Sequence, residues 1–191
     1  AVLMAHLAAN TNTIKVGSGG VMLPNHAPLA IAEQFAMLEA LYPGRVDMGV
    51  GRAPGTDGGT AMALRGARND PNAEDFPRNL VDVMGLLGDV RNEQGLWTRF
   101  KATPAASSSP SVIPLGSSGF SAQLAGLLGL PFGFAHHFDM GGTVEAVEIY
   151  RDSFRPSPIL DEPYAIVTAS TIAAETTEHA NWLGGPALLR R

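Results

Sequence analysis

Cysteine is absent from all 191 residues, which excludes disulfides, thiolate metal centres and cysteine nucleophiles and permits a reducing compartment. The cytoplasm is the expected location. Charge is also scarce: only 16% of residues are Asp, Glu, Lys or Arg, with acidic residues in excess for a net charge of −5. No run of Lys or Arg forms a basic stripe, so nucleic acid and anionic membrane surfaces are poor partners. No apolar stretch approaches the roughly 18 to 20 residues that span a bilayer. The opening stretch, "AVLMAHLAANTNT", lacks both an initiator Met and the basic flank of a signal peptide. Val2, Leu3 and Leu7 suit a helix already under way, and "PALLRR" stops inside another apolar helical pattern. Both ends are therefore expected to be cuts, with residues 1–191 belonging to one truncated domain.

What is present is a chain 45% hydrophobic, enough for a sizeable core. A short β-like run at Ile14 to Val16 meets Gly17, Gly19 and Gly20. An amphipathic helix follows over Ala27 to Leu41, with Ile31, Phe35 and Leu38 at helical spacing, and "YPGR" stops it. Val46, Met48 and Val50 alternate as a strand through Arg52, and "APGTDGG" reads as a loop that no regular element tolerates. A further helix spans Asp75 to Val90, and "TPAASSSPS" is a small-residue connector. Val112 to Leu115 is a buried strand, and Phe120, Leu124, Leu127 and Leu128 mark the apolar face of the helix after it. Phe132 to Ala135 is a strand, Thr143 to Phe154 a helix and Tyr164 to Ala174 a β-rich segment, with a last helix opening near Glu175. Alternating strands and helices imply a parallel sheet with helices outside.

Three motifs carry candidate chemistry. "LGSSGFSAQLA" sets Gly116, Ser117, Ser118 and Gly119 between a strand and a helix N-terminus, where free N–H groups and the helix dipole favour an anion. Such a turn serves equally as an ordinary N-cap. Arg52 stands at another strand end, where a guanidinium can grip phosphate through paired hydrogen bonds or form a surface ion pair. Parallel barrels and open α/β sheets place their ligands at that end of the strands. His136, His137 and Asp139 offer metal ligation or proton transfer. Neighbouring residues on a strand face opposite ways, so the two histidines are not expected to share one site, and no metal centre is assigned. His26 reads as a loop or interface residue and Glu33 as solvated or paired.

The long stretch "VGSGGVMLPNHAPLAIAEQFAMLEALYPGRVDMGVGRAPGTD" resembles the bacterial luciferase-like monooxygenases, in particular their stand-alone flavin oxidoreductases. "IPLGSSGFSAQLAGLLGLPFGFAHHF" and "YRDSFRPSPILDEPYAIV" are similar to the phosphate-binding turn and a later region of that family. The resemblance implies a (β/α)8 TIM-type barrel, here partial, with about five of eight strand-helix units near Ile14, Val46, Val112, Phe132 and Tyr164. It implies reduced FMN, supplied by a separate flavin reductase, reacting with O2 and a small organic substrate. A homodimer would pair through the Ala27 to Leu41 helix. Carried onto this chain, Arg52, Ser117, Ser118 and Ser121 would hold the flavin phosphate, and Gly19 and Gly20, joined in relatives by a cis peptide, would lie against the ring. The family's flavin-facing His falls on a strand ahead of Ala1; only His137 matches the later His and stands as the candidate catalytic residue. Gly51 occupies the place of the reactive cysteine of light-emitting relatives, so light emission is not expected. Two other readings stand beside this one: a deazaflavin-dependent hydride-transfer enzyme and a non-catalytic flavin-binding protein.

Overall fold

The computed structural model describes residues 1–65, 75–89, 91, 93–105, 108–138 and 141–188. Five parallel strands lie in chain order: β1 (Val16–Met22), β2 (Val46–Gly51), β3 (Ser111–Gly116), β4 (Phe132–Phe134) and β5 (Ala165–Val167). Parallel neighbours need a crossover between them. Helices α2 (Pro28–Leu41), α4 (Phe76–Leu86), α5 (Gly119–Leu127) and α6 (Thr143–Ser153) lie in the connections, together with the short α3 (Gly58–Arg65). Helix α1 (Val2–Ala9) precedes the sheet and α7 (Thr177–Leu188) follows it. The result is a mixed α/β parallel sheet with helices outside, as the alternation of elements anticipates, and it forms an arc of the (β/α)8 barrel that the family resemblance implies.

Strand periodicity decides which side of the arc holds the core. Val16, Met48, Val50 and Val112 point outward into a cluster with Met4 and Ala8 of α1, Ile31, Phe35 and Leu38 of α2, and Leu80, Val83 and Met84 of α4. Phe132 and Phe134 join Ala122, Ala125, Ala146 and Tyr150 in a second cluster under α5 and α6. The intervening strand positions, including Asp47, Gly49, Ile113, Leu115, Gly133 and Ile166, face the concave side. The period-two alternation of a strand separates the two sets, one facing the helices and the other the concave side.

Several local expectations change. The run ending at Val16 is instead where β1 begins, and the strand continues through Gly17, Ser18, Gly19 and Gly20. Parallel pairing uses backbone groups alone, and glycine lets the backbones close up: a Cβ on Gly17 would sit 3.0 Å from the Asp47 carbonyl oxygen. The "APGTDGG" loop ends early because Asp57 starts α3, accepting bonds from the Thr60 N–H at 3.0 Å and the Thr60 hydroxyl at 2.6 Å. These bonds, the hydroxyl's first, hold the Asp57 carboxyl at about 2. The β-rich segment from Tyr164 shrinks to Ala165–Val167, because β4 offers it only three partner residues.

The expected apolar face of α5 also differs. Leu124 and Leu128 pack on the first cluster, but Phe120 and Leu127 are exposed, and the buried positions are Ser121, Ala122, Ala125 and Gly126. Close packing against α6 selects these small residues: a Cβ on Gly126 would lie 2.8 Å from the Tyr150 carbonyl oxygen.

Two polar anchors hold the connections. Arg45, the last residue of the helix-stopping "YPGR", donates to the carbonyls of Ile14 (2.9 Å), Thr11 (2.8 Å) and Ala8 (3.2 Å), tying the α1–β1 link to β2. Buried Tyr150 donates to the Leu130 carbonyl at 2.8 Å and accepts from the Tyr164 N–H at 2.9 Å, joining the starts of β4 and β5. Burial raises its hydroxyl above the ordinary 10.0, the Tyr164 contact opposing. Tyr150→Phe removes the donor to the carbonyl of buried Leu130 and the acceptor of the Tyr164 N–H, and urea unfolding is expected to show a loss of roughly 1–3 kcal/mol. A group whose pKa is raised by folding stabilises fully below its unfolded pKa and loses that contribution as pH rises through the folded value. Wild-type stability should therefore fall above pH 10.0, and the Phe variant should fall less.

Candidate functional site

The concave side opens, at the C-terminal ends of the strands, into a cavity of about 640 Å³. Gly19, Gly20, Arg52, Ser117, Ser118, Ser121 and His137 all line it. Arg52, the serines and His137 are brought there by one topological fact: in a parallel sheet every strand ends on the same side, so the residues following β2, β3 and β4 meet at one mouth, and Gly19 and Gly20 reach it from β1.

The floor is a glycine surface with one large side chain lying across it. Leu115 of β3 spans its neighbours: a Cβ on Gly20 would fall 2.7 Å from Leu115 Cδ1, and one on Gly133 2.5 Å from Cδ2. At Gly49 the neighbouring backbone is closer still, so that a Cβ there would strike the Ser18 carbonyl oxygen. The Ser18 hydroxyl donates to the Gly49 carbonyl at 2.9 Å, and the β1–β2 register shifts between Ser18 and Val21. Gly19 differs from Gly20, for a Cβ added to it would meet nothing within 4 Å and would project into open space. The peptide between the two is cis.

One wall is cationic. Ser118 takes the N-cap position of α5 in an extended backbone conformation, but its side chain makes no capping bond, leaving the first helical N–H groups without a side-chain acceptor. Gly116 gives Ser121 its place, since a Cβ on it would lie 2.8 Å from Ser121 Oγ. Directly after β2, the Arg52 guanidinium lies 4.3 Å over the Phe120 ring in the first turn of α5. Among the described residues no carboxylate pairs with Arg52. The loop beyond Arg52 is steadied by buried Asn25, whose Nδ2 donates to the Pro54 carbonyl at 2.8 Å.

Of the two histidines, His137 lines the cavity and His136 does not. They lie on a 3-10 turn, His136–Phe138, and not on the strand. They still part company, since His136 Nδ1 is 2.8 Å from Thr143 Oγ1 at the start of α6 and His137 Nδ1 is 2.7 Å from Thr168 Oγ1 just after β5. The Thr168 hydroxyl also donates to the Phe134 carbonyl at 3.2 Å. A hydroxyl that gives its one proton to a carbonyl accepts from the ring, which puts a proton on His137 Nδ1; in the neutral imidazole the lone pair is then on Nε2. Asp139 lies outside the described residues. Among the described residues no group of His, Asp and Glu has metal-binding geometry, and no helix is long and apolar enough to cross a membrane. His26 is exposed, and Glu33 accepts from the Thr103 N–H at 3.2 Å.

Leu115, Phe120, Asn25 and Thr168 were not singled out by sequence reasoning as parts of this site. Leu115 was within reach of the period-two pattern in "SVIPLG", which puts it opposite Val112. Asn25 and Thr168 act through contacts between distant segments and leave no local signal. A second cavity of about 660 Å³ opens at the N-terminal strand ends among Lys15, Met84, Arg91, Leu130 and Ile159. Its cations are already paired, Lys15 with Asp47 at 3.6 Å and Arg91 with Asp89 at 2.7 Å. Arg52, without a carboxylate partner among the described residues, and the open N-terminus of α5 lie together at the C-terminal end, which makes that end the candidate site.

A barrel arc with a cavity at its C-terminal strand ends, glycine-floored and cationic on one wall, defines an α/β-barrel protein. The chain belongs to the luciferase-like monooxygenase family, whose model matches residues 1–183. It is 54% identical to the uncharacterized protein YvbT of Bacillus subtilis (strain 168), covering 96% of this chain and 53% of that protein. It is 47% identical to a luciferase-like monooxygenase of Escherichia coli (strain K12), covering 95% and 53%. The chain thus spans about half the length of the curated relatives it matches. The crystal structure of apo-MsnO8 superposes with a TM-score of 0.87 at 36% identity, over 98% of this chain and 55% of that one. Two more distant structures, each 18% identical, share the fold: the oxygenating constituent of 3,6-diketocamphane monooxygenase from Pseudomonas putida in complex with FMN (TM-score 0.64, 97% of this chain and 56% of that one) and an F420-dependent secondary alcohol dehydrogenase with an F420-acetone adduct (TM-score 0.61, 86% and 52%).

The glycine floor generates a stability contrast. Gly49→Ala forces a Cβ against the Ser18 carbonyl oxygen and is expected to cost about 1–3 kcal/mol in urea unfolding. Gly19→Ala meets no neighbour and should stay within about 0.5 kcal/mol of wild type.

Proposed function

We propose that this chain carries the phosphate and ring contacts of a flavin-dependent monooxygenase that uses reduced FMN and O2 on a small organic substrate. The observation that carries the reading is Arg52, a guanidinium without a carboxylate partner among the described residues, placed beside the open N-terminus of α5. A cation at the positive end of a helix dipole is electrostatically uncomfortable unless an anion lies between them.

The residues present fit FMN. Arg52 and the N–H groups and hydroxyls of Ser117, Ser118 and Ser121 would take its phosphate, while Gly19, Gly20 and Leu115 leave a flat, side-chain-poor floor for a planar ring. When bound, the flavin supplies the redox chemistry and the reaction with O2. The chain's own contribution is to fix the ring through its phosphate, to exclude water with Ile113, Leu115 and Ile166, and to present His137 Nε2 as a hydrogen-bond acceptor or base toward substrate. A separate flavin reductase would supply the reduced cofactor. Met37 and Leu41, exposed on α2, support pairing of two copies through that helix.

The runner-up is a deazaflavin-dependent hydride transfer, which the shared fold supports. The charge balance favours FMN: one guanidinium plus about half a charge from the helix suits a phosphomonoester of about −1.5 to −2 better than a singly charged diester. Arg52→Ala should weaken FMN by about 1.5–3 kcal/mol and leave riboflavin, which lacks the phosphate, unchanged. Titration of both flavins by fluorescence quenching checks this, and equal losses for the two would remove Arg52 from the phosphate site.

A further inference from the structure

Phe120 is an aromatic residue out of place. Helix α5 buries Ser121, Ala122, Ala125 and Gly126, whereas Phe120 keeps 39% of its surface exposed in the first turn, beside the cavity-lining Ser118 and Ser121. It has a neighbour there that no hydrophobic pattern would assign to it, the Arg52 guanidinium 4.3 Å above its ring. An Arg side chain on a surface loop has many rotamers, and ordering one of them on ligand binding costs entropy. Beside a helix N-terminus the preferred rotamers of a cation are those that lead away from the positive dipole end. Something must hold Arg52 against that preference. Among the described residues no carboxylate does, and the face of Phe120 supplies the attraction instead.

We propose that Phe120 is a positioning residue: its ring pre-orients Arg52 over the first turn of α5, so that guanidinium and helix N–H groups converge on one phosphate before the ligand arrives. The inference rests on the phosphate reading of the site. It differs from that reading in assigning part of the affinity for a phosphorylated flavin to a residue that touches no phosphate oxygen.

The test is equilibrium dialysis of the 191-residue chain against FMN and against riboflavin, for wild type, Phe120→Leu, Phe120→Trp, Arg52→Ala and the Arg52→Ala/Phe120→Leu double variant. Losing a partly exposed cation–π contact should weaken FMN about two- to fivefold and leave riboflavin unchanged. Phe120→Trp, which restores an aromatic face, should recover wild-type FMN binding or exceed it. In the Arg52→Ala background, Phe120→Leu should have no further effect, because the partner it positions is gone. An unchanged FMN-to-riboflavin ratio in Phe120→Leu, with that ratio lost in Arg52→Ala, overturns the role of Phe120 and leaves the site reading intact. Equal weakening of both flavins by Phe120→Leu, or a further loss in the double variant, also overturns it, since the ring would then be acting on the fold at large. A wild type that does not prefer FMN, or an Arg52→Ala variant that keeps the preference, overturns the site reading and this proposal with it.

Discussion

The contact between Gly49 and Ser18 governs the rest of the structure. With no Cβ on Gly49, the β2 backbone comes up against the Ser18 carbonyl of β1, and the Ser18 hydroxyl returns a bond to the Gly49 carbonyl. That approach lets β1 run on through its glycines with a shift in register, and it opens the space into which Leu115 reaches from β3. The concave face consequently has a backbone floor around Gly20, Gly49 and Gly133, and Arg52, Ser117 and Ser118 follow at the strand ends. A larger residue at position 49 would push β1 away and tilt Gly19 and Gly20 out of the cavity wall.

The outward face has the opposite economy. Val16, Met48, Val50 and Val112 fill one cluster with α1, α2 and α4, and Phe132 and Phe134 fill another with α5 and α6. These clusters fix the helices, and the helices fix the mouth: α5 cannot shift without moving Ser117 to Ser121, because Gly126 and Ala125 are packed tightly beneath α6. Stability and site geometry are thus joined at α5, whose inner face is core and whose first turn is wall.

Elements with strong apolar periodicity were legible in the sequence. The helix from Ala27, the alternating Val46, Met48 and Val50, and the strand-helix order of a parallel sheet rest on burial of side chains, which leaves a pattern. The course of β1 through glycines was not legible, since backbone pairing leaves no side-chain signal. The face of α5 misled for a related reason: Phe120 and Leu127 look like core by hydropathy, but proximity to α6 selects Ala and Gly. Of the site, Gly19, Gly20, Arg52, Ser117, Ser118, Ser121 and His137 could be picked out by their strand-end positions and by family resemblance, and one cavity gathers them. Their supports, Asn25, Leu115, Phe120 and Thr168, depend on tertiary contacts between segments far apart in the chain.

The most direct measurement is a crystal structure of the chain grown with FMN. The phosphate is expected within hydrogen-bond reach, about 2.7–3.0 Å, of Arg52 and of the first N–H groups of α5, with one face of the ring over Gly19, Gly20 and Leu115. A flavin seated among Lys15, Met84 and Leu130 at the other end of the strands, or one whose phosphate turns away from Arg52, would contradict the assignment of the site.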